Sequence, residues 1–335
     1  SRTMLGRGFW LPSAKTLLYS SSCFCSSCCD LKDSSESHCG RYRSDMEYVL
    51  HVLVVAAIYA ILSASLDLLA GRTGLVSVAH AAFYGLGAYT SALLALHTGV
   101  PFFLSVPLGM FLAITASLVV SLTSSRLHDD YFVIATFAFQ MILFAVFNNV
   151  LGVTRGPLGI SGIPRPALFG WTVQSMLGFA LLTAVLTGVA YLVVDRVATS
   201  PFGRVLLAIR EDEVFAMSLG KDTFKTKAVV FAISGALAAS AGSLYAHYAT
   251  YIAPENFGVA ESILVISMVI VGGAGSRWGP MIGAVLLISL PEILRFIGLP
   301  NDVAANARQI LYGTLLLVAM MIRPRGLVGS YGFGR

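Results

Sequence analysis

Charge is scarce in this chain, and cysteine is confined to one end. Only 12% of its 335 residues are Asp, Glu, Lys or Arg, while 56% are hydrophobic. A soluble domain carries about 25% charged residues, so that class is excluded. All five cysteines (Cys23, Cys25, Cys28, Cys29 and Cys39) precede Met46. The rest of the chain therefore says nothing about redox compartment. The crowded C-x-C-x2-C-C-x9-C spacing, with His38 beside Cys39, lacks a second ligand pair at a loop-forming distance, and no metal is assigned to it. Catalytic signatures are missing too. There is no G-x-x-x-x-G-K-[ST], so the chain does not itself cradle ATP phosphates, and there is no G-x-S-x-G or H-E-x-x-H. The net charge of +5 is no nucleic-acid signal, because six of the 22 Lys and Arg precede Met46 and no basic, aromatic-interleaved patch lies outside the loops.

Long apolar runs fill the remainder. Nine are found, at about 47–69, 75–98, 101–124, 131–151, 172–194, 228–251, 259–275, 278–298 and 307–322. Most meet the roughly 20 residues a spanning helix needs. The expected fold is an all-α, polytopic integral membrane protein of about eight to ten transmembrane helices. The run 75–98, rich in Gly, Ala, Ser and Tyr, is the weakest. Whether it spans or re-enters stays open, and a broken helix there must be covered by protein or line a cavity. With the C-terminus in the cytoplasm and all nine runs spanning, twelve Lys and Arg face inward and four outward, as the positive-inside rule asks. The six before Met46 would then lie outside. That conflict, with the lack of any period in 1–45, gives the expectation that this segment is non-native or disordered and that the native protein begins near Met46.

One long charged stretch, residues 195–227, interrupts the apolar runs with six Lys or Arg and five Asp or Glu. Ser200 suits an N-cap, Pro201 the first helical position and Gly220 a C-terminal stop, which predicts a helix over 201–220. Phe202, Val205, Leu206 and Ile209 recur at helical spacing along it. A connection in a bundle is typically far shorter, so the stretch is read as a surface helix that docks another protein. Its stripe would enter a partner groove, and Arg204, Arg210, Glu211 and Glu213 would form the rim.

Small residues mark close helix approaches: Gly71 and Gly74, Gly85 and Gly87, Gly235, Ala239 and Gly242, then Gly272, Gly273, Gly275, Gly279 and Gly283. Plain packing explains most of them, and the shared spacing of Gly71-x-x-Gly74 and Gly272-x-x-Gly275 hints at a duplication. Ionisable groups at membrane depth are few: Asp67, His80, Glu261, Glu292 and Arg295. Each is costly in lipid and so a functional candidate. Asp67 and Arg295 are expected to reach water near segment ends, Glu292 and Arg295 to pair, and His80 to bond a neighbouring helix. These are too few for a proton-relay pump, so energy must come from outside the chain.

Three stretches in this order, GRTGLVSVAHAAFYGLGAYTSALL (71–94), IREDEVFAMSLGKDTFKTKAVVFAISGALAASAGSLYAHY (209–248) and VGGAGSRWGPMIGAVLLISLPEILR (271–295), with the terminal RPRGLVG (323–329), resemble the M-type (LivM-like) permeases of bacterial branched-chain amino acid ABC importers. The resemblance covers nearly everything from Met46 on and makes 46–335 a permease domain. It implies a bacterial inner-membrane complex with a second, LivH-like permease, two ATPase subunits that hold ATP and Mg, and a periplasmic substrate-binding protein. This chain would contact membrane lipid, carry no cofactor and catalyse nothing. Its coupling loop would comprise Phe202, Gly203, Arg204, Arg210, Glu211, Asp212, Glu213, Ala216 and Gly220. The pathway candidates are Gly71, Gly74, Ser77, His80, Tyr84, Gly87, Tyr89, Gly272, Gly273 and Glu292. Glu213 lies one residue further from Gly220 than the general E-A-A-x-x-x-G form has it, and Asp67 stands where Asn is more usual. Rival readings are a urea-type or other small-amide ABC permease and a stand-alone secondary transporter.

Overall fold

The computed structural model describes residues 30–124, 129–168, 171–172 and 175–296, with separate positions between 310 and 328. The chain divides into two units, Ser1–Tyr48 and Val49–Arg335. Helix α1 (Asp30–Thr73) begins ahead of the apolar run that opens at Met46. Cys23, Cys25, Cys28 and Cys29 lie outside the described residues.

Six helical segments are long and apolar enough to cross a membrane. They are Glu47–Thr73 of α1, Phe102–Thr123 of α3 (Phe102–Ser124), Tyr131–Asn149 of α4 (Asp129–Asn149), α6 (Met176–Thr199), α9 (Thr223–Ala249) and Pro254–Gly272. The last joins a 3-10 turn, Pro254–Phe257, to α10 (Val259–Gly272). Helix α2 (His80–His97) is too rich in small and polar residues to join this set, and the apolar part of α11 (Gly279–Phe296) is shorter, Gly279–Pro291. The ninth predicted segment, 307–322, is described only at isolated helical positions. The 152–171 connection is built from a short helix α5 (Leu151–Thr154), a 3-10 turn and strand β1 (Ile160–Ser161). Strands β2 (Ala167–Leu168) and β3 (Trp171–Thr172) make a small hairpin, and β1 pairs antiparallel with β4 (Tyr251–Ile252).

Small residues decide which helices touch. Helix α9 runs against both α2 and α3. A Cβ at Gly87 would collide with the backbone of Ala239, and one at Gly242 with the carbonyl of Tyr84. Gly272 and Gly283 bring α10 and α11 together in the same way, since a Cβ on either would strike the other helix's backbone. In lipid, where apolar side chains gain nothing by leaving their solvent, such close backbone contact is what drives association. The opposite faces are ordinary lipid-type surfaces. Helices α3, α4 and α6 expose Phe103, Phe111, Leu122, Ile134, Ile142, Leu181 and Val185.

The weak run 75–98 resolves into two parts. Residues 74–79 are not helical, and α2 starts only at His80. Its 18 residues span about 27 Å. The chain turns at Gly74, whose φ of +78° favours glycine. Buried backbone groups here are satisfied by hydroxyls. Val78 N–H donates to Thr136 Oγ1 (3.2 Å), Ala81 N–H to Ser262 Oγ (3.3 Å), and Ser262 Oγ in turn to Val78 O (2.5 Å). Irregular backbone at this depth is tolerable for that reason.

Candidate functional site

The charged stretch folds as an elbow of two helices. Ser200 caps α7 (Pro201–Glu211), its Oγ accepting Gly203 N–H at 3.2 Å, with Pro201 in the first turn. The single helix expected over 201–220 is corrected at Asp212, which is extended (φ −158°, ψ 107°) and starts a second helix, α8 (Glu213–Ser218). The Asp212 carboxylate accepts Phe215 N–H at 2.9 Å. Asp gains more from capping than from an interior helical position, so it breaks the run. Helix α8 ends in a Schellman-type turn, with Lys221 N–H donating to Ala216 O at 3.2 Å and Gly220 at φ +75°. Asp222 then caps α9, accepting Lys225 N–H at 3.1 Å. The Lys225 ammonium at 2.9 Å, with that N–H, holds the Asp222 carboxyl below the usual range.

The predicted stripe turns inward. Leu206 and Ile209 are buried, Phe202 packs on the same core, and Val205 is half covered. Gly203 lies against the Ala198 carbonyl at the end of α6. The expectation that this stripe fills a partner groove is therefore corrected for Leu206, Ile209 and Phe202, which seat α7 on the chain's own bundle. The apolar surface left open belongs to α8 and its end: Val214, Phe215, Met217 and Leu219 are 70%, 62%, 48% and 63% exposed. Ala216 is their buried anchor. Sequence reasoning missed this patch because six residues are too few to show a period. The run of apolar residues in VFAMSL was the signal available.

Charged residues divide the same way. Arg204, Glu211 and Asp212 are exposed. Arg210 Nη1 donates to the Gly71 carbonyl at the end of α1. Glu213 meets Lys227 of α9 at 2.7 Å, and the Lys227 side chain is only 4% exposed. The elbow is thereby tied to two different spanning helices.

The pathway candidates lie within the bundle. His80 is buried with its Nε2 2.7 Å from Ser234 Oγ, which donates to Ser65 O, the neighbouring-helix bond expected of it. Ser77 is buried and accepts Ala79 N–H. Tyr89 is buried and stacks on Phe147 at 4.6 Å, and Tyr84 is fully buried. Gly87 and Gly272 serve the helix crossings described above, and Gly71 packs on Asp67 and Gly275. Gly272 and Gly273 end α10, where the Leu327 N–H reaches Val271 O (2.9 Å) and the Val328 N–H reaches Gly272 O (3.1 Å). The terminal GLV thus supplies donors for carbonyls that a helix end leaves unpaired. The side chains of Glu292 and Arg295 lie outside the described residues.

Asp67 departs from expectation. It is buried rather than at water, and its Oδ1 accepts Gly275 N–H at 2.7 Å. With Arg72, Tyr191, Asp195, Ser276 and Arg277 it lines a cavity of about 20 Å³, room for about one water. Among the described residues no group of three His, Cys, Asp or Glu is placed to hold a metal.

Comparison with known proteins fits this arrangement. Residues 48–320 match the family described as branched-chain amino acid transport system, permease component. The high-affinity branched-chain amino acid transport system permease protein LivM of Escherichia coli (strain K12) is 33% identical over 300 residues, 83% of this chain and 69% of that one. The corresponding LivH of the same strain is 23% identical over 307 residues, 85% and 95% of the two chains. The autoinducer 2 import system permease protein LsrC of Klebsiella pneumoniae is 27% identical over 187 residues, 51% and 52%. A family match that takes in all six apolar spans and the elbow between two of them leaves one conclusion: this multi-pass membrane chain belongs to the family of permease components of branched-chain amino acid transport systems.

Proposed function

We propose that the chain is one of two permeases in an ATP-driven importer of Leu, Ile and Val in a bacterial inner membrane. The observation that carries the ATP-driven part is the exposed apolar surface of α8 on an elbow whose Leu206 and Ile209 are already buried. Four large apolar side chains held in water at a loop are a liability unless a partner covers them. An ATPase subunit fits that place. The charge balance favours the cytoplasmic side for this loop, and exposed Glu211, Asp212 and Lys221 flank the α8 patch along the chain. Movement of the ATPases would push α8, and the Glu213–Lys227 and Arg210–Gly71 contacts would pass the push to α9 and α1. Similarity to LivM and LivH supports both the second permease and the substrate class. The distant likeness to LsrC makes the substrate a matter for measurement.

The test is reconstitution with the second permease, the ATPases and the binding protein, followed by uptake of each amino acid. ATP-dependent uptake of Leu, Ile and Val with hydrolysis stimulated by loaded binding protein is the expected result. Uptake by the chain alone, driven by an ion gradient, would overturn the importer reading. Stimulation by urea or another amide alone would overturn the substrate.

A further inference from the structure

A second polar cluster lies inside the spans, away from the elbow. Tyr59 stands near the middle of the spanning part of α1, and its hydroxyl donates to the carboxylate of Glu261 in the first turn of α10. Tyr84 of α2 brings its ring against Tyr59, Tyr245 and Phe257, at centroid distances of 6.4, 5.6 and 5.3 Å. Asn256 Nδ2 donates to the Tyr245 hydroxyl at 3.3 Å. Four elements thus converge on one carboxylate and three phenols.

Two features separate this cluster from ordinary packing. Tyr84 is fully buried, yet its hydroxyl has no hydrogen-bond partner among the described residues. Its ring lies against those of Tyr59 and Tyr245, which places it in this cluster. A buried hydroxyl left unpaired is destabilising, and Phe would fill the same space without that cost. The second feature is the surface. Tyr59, Tyr245, Asn256 and Glu261 are all partly exposed, so the cluster opens onto a face that carries a carboxylate at membrane depth. Lipid tolerates such a group poorly, and the faces of α3, α4 and α6 that carry Phe111, Ile134 and Leu181 serve lipid far better.

We propose that Glu261, with Tyr59, Tyr84 and Tyr245, receives the ammonium group of an amino acid as it crosses this chain. The proposal rests on the importer reading above. An ammonium has three donors and no acceptor. The Glu261 carboxylate and the Tyr84 hydroxyl supply acceptors, and the tyrosine rings supply faces that attract a cation. Phe257 gives an apolar wall beside them for an aliphatic side chain. Tyr59 holds the carboxylate in place and shares its charge, which keeps the hold on the ammonium weak enough for release.

The test uses the complete importer in vesicles and radiolabelled leucine. Glu261→Gln is expected to lower leucine uptake at least about tenfold, the scale of a lost hydrogen bond to a charged group. Tyr84→Phe removes an oxygen to which nothing described in the chain bonds. It is expected to lower uptake about threefold or more while leaving thermal stability equal or higher, a combination a purely structural role does not produce. With the five cysteines at 23–39 replaced by serine, Asn256→Cys is the one thiol of the chain and provides a reporter there. Leucine should slow its reaction with a water-soluble thiol reagent in the wild-type background but not beside Glu261→Gln, and 4-methyl-2-oxopentanoate, which lacks the amine, should not. Wild-type uptake in both substituted complexes, or equal protection by the oxo acid, would overturn the proposal alone. Failure of the unsubstituted importer to carry leucine would remove the substrate reading and this proposal with it. Should Glu261→Gln fail to insert, Tyr84→Phe decides.

Discussion

Phe215 and Leu206 lie nine positions apart in the elbow and should respond to truncation in opposite ways. Phe215 is 62% exposed and Leu206 is 0% exposed. A phenylalanine side chain offers about 200 Å². The open share, about 125 Å², corresponds at about 25 cal/mol per Å² to about 3 kcal/mol if a partner covers all of it. That is an upper limit, and interface anchors usually register about 1–3 kcal/mol on truncation. Phe215→Ala should therefore weaken ATPase docking by about 10- to 100-fold while thermal stability of the permease barely moves. Leu206→Ala opens a cavity inside the chain and should cost about 2–5 kcal/mol of stability, lowering the melting temperature in detergent before it affects docking. Affinity of the purified permease pair for the ATPase, measured beside the melting temperature, separates the two. Phe215→Ala docking at wild-type affinity, or Leu206→Ala weakening docking with no loss of stability, would refute the assignment of inner and outer surfaces.

Three more outcomes are expected. Gly87→Ala should destabilise by about 3 kcal/mol because its Cβ meets the α9 backbone, whereas Gly188→Ala, with open space around it, should be neutral or slightly stabilising; melting curves of the two variants check this. Lys227→Met should leave Glu213 without its 2.7 Å partner and cost about 2 kcal/mol, less than a fully buried pair because Glu213 is partly in water. Transport should then fall further than ATP hydrolysis, and the exchanged pair Glu213→Lys with Lys227→Glu should restore part of the loss. Asp222 has a depressed carboxyl pKa from its Lys225 contacts, so its contribution to the first turn of α9 is present above the unfolded value of about 4 and is lost as pH falls through the lower folded value. Hydrogen exchange at the Lys225 amide should show that loss, and Asp222→Asn should abolish the pH dependence.

What the sequence determined follows from local rules. Long apolar runs with few charges can only be spanning segments, because lipid forces each to satisfy its backbone internally. The Ser200–Pro201 start, the Gly220 stop and the close approach of Gly87 and Gly242 were all legible, since caps and the absence of a Cβ act within a few residues or along one face. Tertiary structure alone decided how those pieces are used. An amphipathic stripe has the same period whether it meets a partner or its own bundle. That Leu206 and Ile209 are inside while Val214, Phe215, Met217 and Leu219 are outside depended on where α6 and α9 place the elbow. Likewise Asp67 sits near a segment end in the sequence, but the turn at Gly275 folds over it and supplies a backbone N–H. Glu261 and Tyr84 are 177 positions apart, and they share a cluster only because short helices α2 and α10 both begin within the bundle. Burial and partnership are set by neighbours distant along the chain, and no local pattern encodes which neighbours those are.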